Sequence, residues 1–235
     1  MTINQPFGLG DILFLEPMFR FFHKRNGYKP TLWVRDHFLH LQEYIESVEM
    51  VSCSNKDIDN ANMTFDYFPA RFANQIYRGY DKFDHHDAEN MMLDKYRLAS
   101  IDVEAWKMIH LKFNEGRAME LMEKKVGNTK DYILVNETSG VGKIEIPIKS
   151  DCKIIKMEYV PGYSLIDWYL VIANAKENHH ISTSTFFLFQ AISNLFGGQL
   201  ATKIFLYPRP EINGYKDGLR GIEKLNPSFT YTPMP

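Results

Sequence analysis

The stretch that decides the fold is Tyr132-Ile133-Leu134-Val135-Asn136-Glu137-Thr138-Ser139-Gly140-Val141-Gly142-Lys143. Its first four residues form a short apolar run, and polar and glycine residues follow at once, which is typical of a buried strand that ends in a loop. Buried strands of this kind occur in parallel sheets that are covered by helices. The stretch therefore predicts an α/β protein.

Strands and helices alternate on both sides of this stretch. The predicted strands lie at 31–34, 49–52, 153–157, 180–182 and 203–207. The predicted helices lie at 12–26, 115–126, 164–175 and 183–195. This alternation indicates two Rossmann-like halves with parallel sheets flanked by helices and a ligand bound in the cleft between them.

The alternation also predicts the domain organisation. We expect an N-terminal half over 1–120 and a C-terminal half over 121–207. The residues over 208–235 are rich in Pro, Gly and Asn, so we expect an irregular tail that packs back on the N-terminal half.

Composition excludes several classes of protein. The formal net charge is -2, and Lys and Arg are scattered, so nothing indicates a nucleic-acid binder. No apolar run approaches the roughly 18 residues of a membrane span, and no signal peptide is predicted at the N-terminus. Cys53 and Cys152 lie far apart and match no disulfide framework. We therefore expect a cytoplasmic protein.

The segment Phe7-Gly8-Leu9-Gly10-Asp11 opens the first predicted helix. Gly8 and Gly10 allow a tight turn and a close backbone approach. Asp11 has two interpretations, a helix cap and a general base that faces the ligand. A dinucleotide fingerprint needs a third glycine where Leu13 stands, and little chain precedes Gly8 to form the usual strand, so no NAD site is predicted.

The loop after residue 135 carries an incomplete phosphate-binding pattern. A P-loop needs glycine at 137 and Ser or Thr at 144, where Glu137 and Ile144 stand instead. Backbone amides near Gly140 and Gly142 still suit an anion, with Lys143 as a point charge. The alternative is an ordinary surface turn.

Two later segments place hydroxyl groups at the start of helices. Ser164 and Asp167 have the spacing of a capping box, with Asp in place of Glu. Ser182, Thr183 and Ser184 lie where a strand gives way to a helix, and a helix N-terminus favours phosphate. The alternative for this second segment is helix capping alone.

No metal site and no cofactor are predicted. His179 and His180 are adjacent on a predicted strand, so their side chains point to opposite faces and present no joint pair of ligands. The pair His85-His86 is unsuitable for the same reason.

The segment Gly8-Leu-Gly-Asp-Ile-Leu-Phe-Leu-Glu-Pro resembles the opening loop of GT-B glycosyltransferases, especially of the heptosyltransferase-like group. The stretch over 132–143 resembles the strand and loop that open the donor domain of that family. The segment over 164–194 resembles its Ser-Leu-x-Asp helix and the Asp-Ser/Thr turn at the diphosphate site.

The resemblance implies a role for each matching residue. Asp11 matches the aspartate that is taken as the catalytic base, next to the acceptor-side glycines Gly8 and Gly10. The residues implied to bind the donor are Asn136, Thr138, Ser139, Lys143, Met157, Ser164, Asp167, Ser182, Thr183 and Ser184. Of these, Met157 lies in the segment where the backbone is expected to bind the nucleobase.

The implied activity is transfer of a sugar from a nucleoside diphosphate sugar to a hydroxyl group of an acceptor, with inversion and without a metal. One alternative is a catalytically degenerate binding protein of the same fold, because Ser182 stands where the family has aspartate and the chain is short. Another is a nucleotide-sugar epimerase or phosphorylase on the same scaffold, and a third is a plain α/β domain with no nucleotide site. The expected partners are the nucleotide sugar and a carbohydrate or other hydroxyl acceptor; no oligomeric state is predicted.

Overall fold

A computed structural model of the chain describes residues 1–5, 8–53, 63–64, 93, 95–97, 99–139, 142–198, 200–208 and 230–231. The described residues divide into two compact units, one up to Lys112 and one from Phe113 onward. Each unit contains its own parallel sheet. No helix in these described ranges has the length and apolar character that a membrane span requires.

The first unit is built on a four-stranded sheet. Its strands are β1 (Thr2–Asn4), β2 (Thr31–Val34), β3 (Glu49–Ser52) and β4 (Met63–Thr64). Their order is β3-β2-β1-β4, with parallel pairing throughout. Helix α1 (Leu9–Asn26) follows β1, and 3-10 helices span Asp36–Glu43 and Val103–Met108.

Strand β1 corrects one expectation from the sequence. The residues before Gly8 were expected to be too few for a strand, yet β1 pairs in parallel with β2 on one side and with β4 on the other. Ile3 at its centre is fully buried. Three residues suffice because pairing on both edges satisfies their backbone groups.

Helix α1 packs through its aromatic side chains. The Phe14 ring meets the Tyr96 ring edge to face at a centroid distance of 5.0 Å and stacks on Trp106 at 6.0 Å. The Tyr96 hydroxyl also donates to the backbone oxygen of Phe14 at 2.6 Å. Two residues further along α1, the buried Glu16 carboxylate accepts the His110 amide at 2.8 Å, so α1 also holds the segment after the second 3-10 helix.

The second unit is built on a five-stranded parallel sheet. Its strands are β5 (Tyr132–Asn136), β8 (Lys153–Lys156), β9 (Glu177–Ile181), β10 (Lys203–Tyr207) and β11 (Thr230–Tyr231). The short strands β6 (Thr138–Ser139) and β7 (Gly142–Lys143) form an antiparallel hairpin after β5. The helices are α2 (Glu115–Lys125), a 3-10 turn over Leu165–Trp168, α3 (Tyr169–Asn174) and α4 (Thr185–Leu195).

The two faces of this sheet are covered differently. On one face, Tyr132 donates its hydroxyl to the backbone of α3, and His180 lies edge-on against Phe189 of α4. On the other face, Ile146 from the segment after β7 packs into a core cluster with Ile133, Val135, Ile181 and Tyr207. The apolar run that indicated a buried strand is therefore covered on both sides.

Strand β9 is longer than its sequence pattern indicated, because its polar residues find partners inside the unit. The Asn178 side chain donates to the Ile172 carbonyl at 3.0 Å and to Thr202 Oγ1 at 2.8 Å. His179 Nδ1 lies 2.8 Å from the Tyr207 hydroxyl. The strand consequently starts at Glu177 rather than at 180.

The predicted tail over 208–235 is described only at Pro208 and in β11, which pairs with β10. The remainder of that tail lies outside the described residues, as do His85 and His86.

His180 makes the stability of the second unit depend on pH. The ring is fully buried, and neither ring nitrogen has a hydrogen-bond partner within the described ranges. Burial, with a smaller effect of His179, lowers the pKa of His180 from 6.5 to about 3. Between these two pH values His180 is protonated in the unfolded chain but neutral in the folded chain. The free energy of unfolding is therefore highest above pH 6.5 and decreases as the pH falls towards 3.

We expect His180→Phe to remove this loss. Urea unfolding at about pH 7.5 and about pH 4.5 should show that the variant loses roughly 2 kcal/mol less stability than the wild type over this interval. Phenylalanine is chosen because its aromatic ring can replace the His180 ring in the edge-on contact with Phe189. Equal losses in the two proteins would contradict the assignment.

Candidate functional site

The strand order of the second sheet reverses between β5 and β9. Strand β8 lies on one side of β5, while β9, β10 and β11 follow on the other side. At such a reversal the connections diverge and leave a crevice beyond the carboxyl ends of the strands. A cavity of about 270 Å³ lies at this place, lined by Asn136, Thr138, Ser139, Met157, Glu158, Tyr159, Val160, Tyr163, Ser164, Leu165, Trp168, Thr183, Ser184 and Thr185.

Asn136 shapes the first edge of this pocket. Its side chain is buried at the end of β5, and Oδ1 accepts both the backbone N–H and the hydroxyl of Thr138 at 3.2 Å. This local turn directs the chain into the β6–β7 hairpin. Thr138 and Ser139 on β6 therefore face the pocket.

Glu137 connects that hairpin to strand β8. Its buried carboxylate accepts Lys156 Nζ at 2.8 Å and the Ile146 amide at 3.2 Å, and Lys143 Nζ lies 3.7 Å away. Burial raises the pKa of Glu137, but these hydrogen bonds and the lysine charges outweigh burial, so the pKa is lower than normal. Glu137 is thus a structural anion. It lies in the loop after β5, whose sequence pattern partly matches that of a P-loop.

Helix α2 holds the loop after β8, which forms the second edge. The Arg117 guanidinium donates to the Gly162 carbonyl at 2.6 Å and pairs with the buried Asp167 at 3.0 Å. Lys125 pairs with Glu158 at 2.6 Å. These contacts anchor the loop to α2.

The same loop brings an aromatic wall that sequence reasoning missed. Tyr159, Tyr163 and Trp168 line the pocket, and Tyr159 is 83% exposed at its rim. An exposed aromatic ring beside a pocket offers a flat apolar surface. The available signal was the position of Tyr159 and Tyr163 just beyond the carboxyl end of a predicted strand.

Ser164 and Asp167 form the capping pair that their spacing indicated. The Ser164 hydroxyl accepts the Ile166 amide at 3.1 Å, and Asp167 Oδ2 accepts the Ser164 amide at 2.8 Å. Ser164 still lines the pocket, whereas Asp167 lies behind it against Arg117.

The third edge of the pocket is the N-terminus of α4. Thr183, Ser184 and Thr185 line the pocket here, and the Thr183 carbonyl already accepts the Phe186 amide at 3.0 Å. The positive end of the helix dipole and the hydroxyl groups favour an anion. Ser182 is buried, and its amide donates to the Tyr207 carbonyl at 2.8 Å, so it joins β9 to β10 rather than the pocket lining.

Seven of the residues predicted to bind a donor therefore meet in one pocket of the second unit: Asn136, Thr138, Ser139, Met157, Ser164, Thr183 and Ser184. Three others lie near it without belonging to its described lining: Lys143, Asp167 and Ser182.

Asp11, the predicted base, belongs to the first unit. Its buried carboxylate pairs with the ammonium group of Lys95, which also donates to Gln5 Oε1 at 3.2 Å. Gly8 precedes α1 with φ of 81°, and a Cβ there would collide with the Asp11 carboxylate. Gly10 forms part of the first turn of α1. No local pattern could indicate Lys95, because 84 residues separate it from Asp11.

Within the described ranges, no three His, Cys, Asp or Glu side chains gather in a way that suits a metal ion.

No protein-family profile matches this chain, and no curated protein matches it by sequence. Solved structures do match. The ADP-heptose LPS heptosyltransferase II of E. coli aligns with 99% of this chain and 89% of its own length, at a TM-score of 0.50 and 8% identity. The iron-containing dodecameric glycosyltransferase TibC of enterotoxigenic E. coli H10407 aligns with 88% of this chain and 57% of its own, at a TM-score of 0.51 and 11% identity.

A third match is the E. coli heptosyltransferase WaaC with ADP, at a TM-score of 0.49 and 11% identity over 100% of this chain and 90% of its own. The two matches at 0.50 and 0.51 show the fold. This chain folds like the GT-B glycosyltransferases. The α/β architecture of two Rossmann-like units with parallel sheets, predicted from the sequence, is confirmed.

We expect Asp11 and Lys95 to be energetically coupled. Because each buried charge compensates the other, Asp11→Asn or Lys95→Met alone should lower the free energy of unfolding by about 3 kcal/mol. The double variant should lose clearly less than the sum, since no buried charge is left alone. Urea unfolding of the four proteins measures this coupling.

The control is Lys107→Met in the same unit, which removes an exposed ion pair with Glu104. It should cost less than about 1 kcal/mol. Additive effects of the Asp11 and Lys95 substitutions would show that the two side chains do not depend on each other.

Proposed function

We propose that this protein transfers a sugar from a nucleoside diphosphate sugar to a hydroxyl group of an acceptor. The observation that carries the proposal is the pocket of the second unit. It combines a helix N-terminus, six hydroxyl side chains of Ser and Thr, and an aromatic wall at the reversal of the strand order. The fold, which is similar to that of heptosyltransferase II, supports the same assignment.

The chemistry of the lining suits the parts of such a donor. The diphosphate binds at the N-terminus of α4, where Thr183 and Ser184 supply neutral donors beside the helix dipole. Thr138 and Ser139 face the same ligand from the hairpin. The nucleobase lies against Tyr159 and the backbone near Met157.

Asp11 acts as the general base in this proposal. It accepts the proton of the acceptor hydroxyl while the oxygen attacks the anomeric carbon. The bond from that carbon to the diphosphate breaks, and the diphosphate leaves with the bonding electrons. One displacement inverts the anomeric centre, and the helix dipole with Lys143 stabilises the leaving group without a metal.

The first donor to test is an ADP-sugar, because the structurally similar enzyme of E. coli is an ADP-heptose LPS heptosyltransferase. UDP and GDP sugars form the comparison set. A cytoplasmic location stays a prediction of the sequence.

We expect Tyr159→Ala to weaken nucleotide binding. Stacking of a base on an aromatic ring contributes roughly 1–3 kcal/mol, so the dissociation constant should rise about tenfold or more. Thermal shift and calorimetry with ADP, UDP and GDP, each with and without Mg²⁺, measure the effect. A nucleotide present at about 100 times its dissociation constant stabilises the fold by about 2.7 kcal/mol, which is readily seen.

The matched control is Tyr28→Ala, which removes a 54% exposed tyrosine of the first unit. It should leave nucleotide affinity unchanged. If none of the three nucleotides shifts the unfolding of the wild-type protein, the nucleotide-sugar assignment is wrong.

We expect Asp11→Asn to abolish transfer while nucleotide binding persists. Loss of a general base lowers the rate by about 10²–10⁴-fold. The assay follows nucleoside diphosphate released from ADP-, UDP- and GDP-sugars, with a set of sugar acceptors and with water. Near wild-type release by Asp11→Asn would remove Asp11 from the mechanism.

Substitution of two glycines tests whether transfer depends on the position of the Asp11 carboxylate, with its charge unchanged. Gly8 and Gly27 have similar φ values of 81° and 75°, but a Cβ at Gly27 meets nothing within 4 Å. Both substitutions place a side chain at positive φ, but ψ is 101° at Gly8 and 2° at Gly27, so the backbone strain is larger in Gly8→Ala. Of the two, only Gly8→Ala also displaces the Asp11 carboxylate. We expect transfer to fall further in Gly8→Ala.

A second candidate function is that of a nucleotide-binding protein without catalysis. The observation that favours it is the Asp11–Lys95 pair, because a buried ion pair gives the Asp11 carboxylate a structural role that requires no catalysis. Nucleotide binding in the wild type, with no release of diphosphate from any donor, would select this function.

A further inference from the structure

Glu137 lies at the centre of a charge cluster beside the pocket. Its side chain is 6% exposed, and Oε1 accepts the Ile146 amide. Both lysines compete for the other oxygen, Oε2, with Lys156 Nζ at 2.8 Å and Lys143 Nζ at 3.7 Å. One carboxylate oxygen therefore holds two cations, and it holds Lys143 less closely.

Lys143 is adjacent to the pocket. In the β6–β7 hairpin it lies directly opposite Thr138, which lines the pocket. Residues opposite each other in an antiparallel pair project to the same face, about 4.5–5.5 Å apart at Cβ. The Lys143 side chain is 64% exposed, so its long stem is free to turn towards a ligand beside Thr138.

The pocket needs a cation from outside its own lining if its ligand is an anion. None of the described residues that line it is Lys or Arg, and its one charged residue is Glu158, which pairs with Lys125. Lys143 is the one Lys or Arg among the described residues of the hairpin, so a phosphate group beside Thr138 has this cation on the opposite strand. To bind the Lys143 ammonium group, this phosphate group must compete with the Glu137 carboxylate.

We propose that Glu137 is a counter-ion that competes with a diphosphate ligand for the Lys143 ammonium group and gives this group up when the ligand binds. Lys156 and the Ile146 amide then keep the buried carboxylate paired, so its charge is never left alone. Lys156 thus promotes ligand binding through Glu137 without touching the ligand. The inference rests on the proposed function, since it assumes a diphosphate in this pocket.

The test is a titration of the full chain with two probes, inorganic pyrophosphate and ADP, followed by NMR spectra and calorimetry at low salt. The variants are Lys156→Met, Glu137→Gln and the combination of both. Glutamine keeps an oxygen for the Ile146 amide, so the loop retains its anchor. The matched control is Lys153→Met, on the same strand with the same loss of charge, whose ammonium group contacts Thr129 and the Val126 carbonyl instead.

We expect Lys156→Met to weaken binding of both probes about threefold or more, because Glu137 then keeps Lys143. Glu137→Gln should strengthen binding by a similar factor, because the competing carboxylate charge is gone. In the Glu137→Gln background, Lys156→Met should have no further effect. Lys153→Met should match the wild type, and melting curves confirm that each variant is folded.

Three results would overturn the role of Glu137. They are equal affinities in Lys156→Met and Lys153→Met, an effect of Lys156→Met that persists in Glu137→Gln, and a wild-type protein that binds neither probe. The proposed function fails differently: pyrophosphate binds with the expected pattern, while ADP, UDP and GDP bind no better than pyrophosphate.

Discussion

Strand β5 has a parallel neighbour on each side, and the pocket depends on this double pairing. All five of its residues are buried, and its register with β8 and β9 sets where those strands end relative to Asn136. The Met157 amide continues the ladder to the Val135 carbonyl at 2.7 Å. A slip of one residue would exchange the two faces of the strand and break the hydrogen bond from the Tyr132 hydroxyl to the Val171 carbonyl of α3, which opposes such a slip. The three edges of the pocket therefore start from fixed positions.

Buried carboxylates organise both units. Asp11 pairs with Lys95 in the first unit, and Glu137 with Lys156 in the second, and each carboxylate lies beside residues proposed to act on a ligand. Because a buried charge is costly without a partner, these pairs form in the absence of substrate. A ligand that uses these groups then shares them, or competes for them, with partners that are already bonded. The affinity and rate of this protein should depend on those internal partners as much as on the groups that contact the ligand.

Local patterns were sufficient for most of the elements. The apolar run of β5, the capping pair Ser164–Asp167 and the polar start of α4 all appear in the structure where their residues indicated. Strand β1 was missed because its stability comes from pairing with β2 and β4, which a three-residue segment does not reveal. Strand β9 was predicted too short, because the polar residues Asn178 and His179 did not indicate a buried strand. They are buried because their side chains form hydrogen bonds with residues distant in sequence.

By itself, the sequence determined the α/β class, two parallel-sheet units and the segments that follow β5, β8 and β9, because periodicity and capping depend on neighbouring residues. Only the tertiary structure decided which of those segments share a pocket, that Tyr159 and Trp168 join them, and that Lys143 is paired with Glu137. It also decided that Lys95 reaches Asp11. These contacts join residues far apart along the chain, or depend on the space left by packing and on how buried charges are compensated, and no local pattern encodes them.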